Sequence, residues 1–359
     1  MRIVQLTSTS AGGVARHARQ VAGLLAGAGH RVVLAGPADV VADSPVPTHV
    51  VDIADRPRPT DVAALRRLRA VLHGADLVHA HGLRAGAAAV LAATGLPYRP
   101  AVVVTLHNLP VGGPRVRAMA AVLERVVARG ADLVLGVSGD LVARMARLGA
   151  LAERALVPAP PHRDPGPLDD AARARLRADL GVASDERLLL TVGRLAPQKG
   201  LGLLCDAAAL LARSPHRVRW VVVGDGPLED ELRRRVAAER LPVVVAGRRE
   251  DVPVLLAAAD VVVSTSTWEG QPLAVQEALQ AGAAVVATDV GGTGEVTADA
   301  AALVPPEPEA LAAAVGRLLA DDAERDRLRR LARDRAGALP TPEDVLAQLR
   351  RCYSGLVPD

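Results

Sequence analysis

The sequence predicts two doubly wound α/β domains, each a parallel sheet with helices on both faces, and three observations lead to that expectation. Short apolar runs of strand length alternate with longer amphipathic stretches from one end to the other, which is the pattern of βα units. Half of the 359 residues are apolar, enough for two units of ordinary domain size. Near the middle the segment VPAPPHRDPGP at 157–167 interrupts the alternation. Its repeated prolines forbid a continuing helix and make a semi-rigid linker.

Taken in order, strands are expected at 2–6, 31–36, 49–53, 76–81, 101–107 and 132–138, each followed by turn residues and then a helical pattern. A second series follows the linker at 188–192, 219–223, 243–246, 260–265, 284–288 and 301–304. Residues 307–353 are helical in period and highly charged. The expected division is an N-terminal domain at 1–165, a C-terminal domain at 166–340, and a last helix at 341–359 that packs back toward the first domain. Ligands of such folds bind outside the carboxyl ends of the strands. Both sets of strand ends are therefore expected to face a shared central cleft, and the polar residues there are the ones to search.

Composition narrows the function classes. Two cysteines, Cys205 and Cys352, exclude a disulfide framework and a cysteine-rich zinc site, and the chain reads as reduced and intracellular. The N-terminus lacks the apolar core and cleavage site of a signal peptide, and no eighteen apolar residues run together. A cytoplasmic location is expected, with peripheral contact at the inner face of a membrane. There is no Phe, only Ile3 and Ile53, one Asn (Asn108), and one lysine, Lys199, against 42 arginines. So strong a coding bias would replace lysine by arginine wherever a cation merely solvates a surface. Lys199 is expected to do something that a planar guanidinium cannot.

A net charge of +3 hides an asymmetry, +8 over residues 1–150 and −5 over the remainder. The basic half suggests an anionic partner: a phosphorylated substrate, an acidic membrane surface or nucleic acid. With two Trp, two Tyr and no Phe the chain has little capacity to stack bases, so no nucleic-acid partner is expected. Arg115, Arg125 and Arg129 group on one side of a helical stretch whose other side, Val116, Met119, Ala120, Leu123, Val126 and Val127, is expected to pack on the sheet. Arg56, Arg58, Arg66, Arg67 and Arg69 add a second basic cluster.

Three segments carry chemistry. Gly12 and Gly13 follow the first strand and open a helix, where backbone amides can approach an anion. In TVGRLAPQKG at 191–200 a strand ends at Arg194, turns through Pro197 and reaches Lys199 just before a helix. A guanidinium, an ammonium and a helix N-terminus around one point make a diphosphate site without metal. In WEGQPLAVQEAL, Glu269 and Glu277 are separated by seven residues, with Pro272 placed to be the first residue of a helix and the amides of Leu273 and Ala274 free for an anion. Carboxylates at that spacing suit vicinal sugar or ribose hydroxyls. The spacing alone fits equally a capping Glu269 and a surface Glu277.

Histidines concentrate at or before residue 162. His79 and His81 in HAHG point to one side of a strand end, a spacing that can suit a metal. With no third clustered ligand in the sequence they read as cleft-lining or hydrogen-bonded residues, and no metal site is expected. His17 either faces an acceptor or is a buried structural imidazole.

The ordered set GGVARH, HAHG, VVTLHN, GRLAPQKG, VVVGDGP, VVVAGRRED and WEGQPLAVQEALQAGAAVVATDVGG resembles the retaining GT-B glycosyltransferases with a Glu-x7-Glu motif, the group 1 enzymes or glycosyltransferase family four. The resemblance spans nearly the whole chain and implies that 1–165 is the acceptor-side domain and 166–340 the nucleotide-sugar-binding domain. It implies a GT-B fold and transfer of a hexosyl unit from a nucleotide-diphosphate sugar, with a UDP-sugar favoured, with retention, without cofactor and without divalent metal. No Asp-x-Asp occurs to anchor one. By the resemblance, Arg194 and Lys199 hold the donor diphosphate, Glu277 the ribose diol, and Glu269 hydroxyls of the transferred sugar. Arg248 falls by the nucleobase, Gly12 and Gly13 supply amides to the donor, and His107 lies near the reacting sugar. His17 and His81 are placed on the acceptor side, and the acceptor is expected to be anionic or lipid-linked. Relatives often carry an aromatic and a Gly after the first Glu, where this chain has Gly270, Gln271 and Pro272. A nucleotide-sugar epimerase of the same fold and a catalytically silent binding protein are the other readings.

Overall fold

The computed structural model describes residues 1–8, 13–54, 58, 60–110, 113–161, 166 and 169–357. They form two compact units, one of residues 1–158 and 340–359, the other of residues 159–339. The division falls at Pro158/Ala159 and Leu339/Pro340, slightly ahead of the 165/166 and 340/341 expected from the sequence.

The first unit holds seven strands, β1 (Arg2–Thr7), β2 (Arg31–Gly36), β3 (Thr48–Val50), β4 (Leu77–His81), β5 (Ala101–Leu106), β6 (Leu133–Gly136) and β7 (Ala152–Arg154). Their order is β3-β2-β1-β4-β5-β6-β7, with every pair parallel. The second unit holds β8 (Arg187–Val192), β9 (Val218–Val223), β10 (Val243–Gly247), β11 (Val261–Ser264), β12 (Val285–Thr288) and β13 (Ala302–Val304). Their order, β10-β9-β8-β11-β12-β13, repeats the same winding, again all parallel. Central strands such as β4 and β12 are buried along their whole length because helices cover both faces, hence their runs of Val, Leu and Ala.

Within the second unit Trp220 is fully buried, and its indole N–H donates to Thr191 Oγ1 at 2.9 Å. That hydroxyl donates onward to the Val263 carbonyl at 2.7 Å, so β9, β8 and β11 are locked together just below the ends of β8 and β11. The helix Pro342–Ser354 opens with a reciprocal capping box between Thr341 and Asp344 and belongs to the first unit. There Gln348 accepts from the Leu156 amide at 2.8 Å and donates to the Arg154 carbonyl at 2.7 Å.

Two sequence expectations change. Strand β7 was not anticipated, since its three residues AER carry no apolar run and pair only with β6 at the sheet edge. The helix Pro114–Gly130 packs through Ala120 and Val127 of the expected stripe together with Glu124 and Ala128, whereas Val116 and Met119 of that stripe stay outside the contact. The cause is Glu124, whose two oxygens receive Arg144 Nε at 2.7 Å and Nη2 at 2.9 Å and which is thereby buried. Val116, Met119 and Val122 are left 48%, 44% and 54% exposed. Arg69 is held by the carbonyls of Ala92, Thr94 and Gly95, whereas Arg66 and Arg67 are exposed and Arg56 lies outside the described residues.

Candidate functional site

In each sheet the strand order reverses beside the first strand, between β8 and β11 and between β1 and β4, and crevices at such switch points are where doubly wound folds bind ligands. The chain places its unusual polar residues at both.

At the β8/β11 switch, Gly193 and Arg194 leave β8, a single 3₁₀ turn covers Pro197–Lys199, and the helix Leu201–Leu211 follows. Between turn and helix Gly200 is left-handed at φ 60°, and a Cβ there would lie 2.0 Å from the Thr265 carbonyl oxygen, so only glycine fits. This approach lets two loops stitch together. The Thr265 hydroxyl donates to the Lys199 carbonyl at 2.8 Å, the Thr267 amide to the Gln198 carbonyl at 2.8 Å, and Gln198 Nε2 to the Trp268 carbonyl at 3.0 Å. Lys199 is thereby delivered to Glu269, Nζ to Oε1 at 2.5 Å, and the Ser266 hydroxyl donates to the same oxygen at 2.6 Å.

Glu269 is fixed from its other side by the loop after β12. The Gly292 amide donates to the Glu269 carbonyl at 2.7 Å, and Gly291, at φ 53°, passes so close that a Cβ would lie 2.0 Å from that oxygen. The segment ATDVGG of the motif thus serves to hold a carboxylate.

Arg194, Lys199, Glu269, Pro272 and Ala274 line one pocket with the ends of β8 and β11. Arg194 is exposed and has no carboxylate partner among the described residues. Lys199 has spent one of its three donors on Glu269. The helix Leu273–Gln280 has no side-chain cap, and its Leu273 and Ala274 amides precede the first intrahelical bonds, which come from Val275 and Gln276 to the Pro272 carbonyl. Pro272 is the cap of this helix rather than its first residue. A guanidinium, an ammonium and uncapped helix amides are groups that attract an anion, and a carboxylate accepts from hydroxyl donors. Glu277 is half-buried on the same helix, four residues beyond Leu273, and is not among the residues lining this pocket. Nor is Arg248, which is exposed just past β10.

At the β1/β4 switch the histidines assemble. Parallel registry sets Gln5 beside His79, Thr7 beside His81 and His81 beside Thr105. His79 is saturated: Tyr353 Oη lies 2.6 Å from Nδ1 and Thr105 Oγ1 2.6 Å from Nε2. His81 Nε2 lies 2.8 Å from Gln5 Oε1, and its Nδ1 faces His107 Nε2 at 3.4 Å. His17, one turn into the helix Gly13–Gly27, sets its ring centroid 5.4 Å from that of His81 and 5.2 Å from that of His107. Burial holds His17 down to about 4 and His79 to about 3, and it depresses His81 and His107 well below the ordinary imidazole range. All four rings are neutral at pH 7. Gly13 begins the helix that carries His17, and Gly12 lies outside the described residues.

Sequence reading named His17, His81 and His107 singly and did not join them as one cluster. It missed Tyr353, Gln5, Thr105 and Ser266, whose roles arise only from contacts made by folding.

Comparison with known proteins decides the family. Residues 172–335 match the family described as "Glycosyl transferases group 1", and residues 12–162 match the "Glycosyl transferase 4-like domain". A D-inositol 3-phosphate glycosyltransferase of Nocardia farcinica is 31% identical over 325 residues, covering 84% of this chain and 69% of that one. The chain belongs to the group 1 glycosyl transferases. Another relative of this transferase, the alpha-D-kanosaminyltransferase of Streptomyces kanamyceticus, is 34% identical over 167 residues, 44% of this chain, and only 43% of that relative's length is spanned. The fold is GT-B. HepE of Anabaena, solved in complex with UDP, superposes with a TM-score of 0.80 at 23% identity, covering 99% of this transferase and 100% of HepE.

Proposed function

We propose that this group 1 transferase moves a hexosyl unit from a nucleotide-diphosphate sugar, a UDP-sugar first, to an anionic or lipid-linked acceptor, with retention and without a divalent metal. One observation carries the reading: Arg194, the Lys199–Glu269 pair and Ala274, whose amide precedes the first intrahelical bonds, line one switch-point pocket, with the Leu273 amide next to it in the chain. Donors fixed before reaction are suited to the charge that develops on a departing diphosphate, and losing one such donor costs about 10² to 10³ in rate. The preference for UDP draws support from structures of HepE with UDP and with UDP and glucose.

In the proposed step the acceptor oxygen bonds to the anomeric carbon on the face from which the phosphate oxygen departs. The acceptor's proton passes to that oxygen, and no enzyme carboxylate is needed beneath the ring. Glu269 orients the sugar hydroxyls, Glu277 serves the ribose diol, Arg248 adjoins the base, Gly12 and Gly13 supply amides to the donor, and His107 lies near the reacting sugar with His17 and His81 on the acceptor side.

Charge argues for the acceptor. On the first unit, exposed Arg115 and Arg125 flank Val116, Met119 and Val122, a basic and apolar helix surface suited to an anionic membrane. No described helix is long and apolar enough to cross one. The phosphorylated inositol named for the Nocardia relative agrees with an anionic acceptor.

The test is an assay in EDTA with a panel of nucleotide sugars, following nucleoside-diphosphate release with acceptor present and the product's anomeric configuration by NMR. Retained α-product from an α-donor is expected. A strict Mg²⁺ or Mn²⁺ requirement, an inverted product, or donor epimerised without acceptor would each overturn the reading.

A further inference from the structure

The histidine cluster of the first unit asks for more than cleft lining. Its three members come from three elements, His17 from the first helix, His81 from the end of β4 and His107 from just past β5. Each offers a ring nitrogen, and these atoms all lie within 4.8 Å of one another. We infer that His17, His81 and His107 form a three-imidazole site for a borderline first-row cation, Zn²⁺ before others, which the proposed transfer does not require.

Geometry comes first. Two Zn–N bonds of about 2.0–2.1 Å at a tetrahedral angle set their nitrogens about 3.4 Å apart. His81 Nδ1 and His107 Nε2 are 3.4 Å apart. His17 offers its ring nitrogen within 4.8 Å of both, and its Nδ1 is buried with no hydrogen-bond partner among the described residues. An orphan nitrogen in a dry place costs free energy that coordination would recover.

The outer contacts suit the same end. Gln5 Oε1 accepts from His81 Nε2–H, which fixes the tautomer that bares Nδ1 toward the cluster, the arrangement that metal-ligating histidines show. Neutral nitrogen donors select Zn²⁺, Cu²⁺ or Ni²⁺ over Mg²⁺ and Ca²⁺, which need oxygen. Three ligands leave a fourth position for water or an anion.

The test uses the full chain, stripped with a chelator, dialysed and titrated with Zn²⁺ against a chromophoric chelator. One equivalent should bind with a Kd of about 1 μM or tighter, and Co²⁺ should give the intense visible bands of four-coordination. His17→Gln and His107→Gln should each weaken Zn²⁺ by at least the roughly 10- to 100-fold typical of losing an outer partner. His216→Gln, in the unit 159–339, should change nothing. Should His81→Gln fail to fold, Gln5→Leu removes the partner of the opposite nitrogen of the same ring and should weaken Zn²⁺ about 10- to 100-fold. Absence of a stoichiometric site, unchanged affinity in His17→Gln, or competition by Mg²⁺ at comparable concentration would overturn the inference.

Discussion

Lys199 and Glu269, seventy residues apart, meet at 2.5 Å, and the carboxylate is nearly enclosed while the ammonium is a quarter exposed. The pair is therefore asymmetric, with the acid fixed by Ser266 and the Gly291–Gly292 loop and the lysine reaching out of the fold to meet it. Lys199 also runs against the backbone, since a Cβ on Gly193 would lie 3.3 Å from its Cε. A planar fork has no room for the same placement.

Lys199→Arg, though it keeps the charge, should lower kcat/KM by about 10² to 10³ with the fold intact. Steady-state kinetics beside circular dichroism checks this, and wild-type turnover would remove the special role assigned to the chain's single lysine.

Glu269→Ala and Glu277→Ala should separate. The first should mainly lower kcat, because Glu269 lines the pocket, and the second should mainly weaken nucleoside-diphosphate binding. Calorimetry with UDP together with kinetics makes the comparison, and equal losses of UDP affinity would contradict it.

Gly200→Ala should destabilise the unit 159–339 by more than the roughly 1–3 kcal/mol of backbone strain alone, because its Cβ also strikes the Thr265 carbonyl. Gly316→Ala, inside the helix Pro308–Ala320 with nothing within 4 Å of the new methyl, should stabilise the same unit by about 1 kcal/mol. Both tryptophans, Trp220 and Trp268, belong to that unit, so urea unfolding followed by fluorescence reports it.

Tyr353→Phe leaves the buried Nδ1 of His79 without its partner, a loss of about 1–3 kcal/mol that falls on the first unit alone. The two cysteines report the units separately, Cys352 in the first and Cys205 in the second, and both are buried. Native-state labelling of Cys352 should accelerate about 5- to 150-fold while that of Cys205 is unchanged.

Burial pushes the Cys205 thiol up to about 11. It stays protonated through pH 9, so iodoacetamide should modify it at pH 8 only as fast as the unit opens. Mass spectrometry with and without urea tests this. Labelling of the folded chain at pH 8 as fast as that of the urea-unfolded chain would mean an accessible, ordinary thiolate.

How much of this was legible depended on where a residue's meaning resides. Strands such as β8 and β9 announce themselves as runs of Leu and Val because both faces are covered, and Arg194, Lys199 and Glu269 stand out because they follow those runs directly. Edge strand β7 has no such signal. The exposed face of the helix Pro114–Gly130 was misread because a bidentate arginine made Glu124 a core residue, which periodicity alone scores as surface. Tyr353 and His79 are 274 residues apart, and only the folded sheet shows that the hydroxyl of one completes the imidazole of the other.

The first unit is written in two instalments, residues 1–158 and 340–359, with the entire second unit between them. At ordinary elongation rates of about 5–20 residues per second, translation of the 181 intervening residues 159–339 lasts roughly 10 to 40 s. Throughout that interval the emerging N-terminal half carries His79 without its tyrosine and the Arg154–Leu156 backbone without Gln348. The partner of His79 thus arrives only after the whole second unit has been made. A product cut short after residue 339 would hold every residue of the proposed donor pocket and still lack the partner that completes His79.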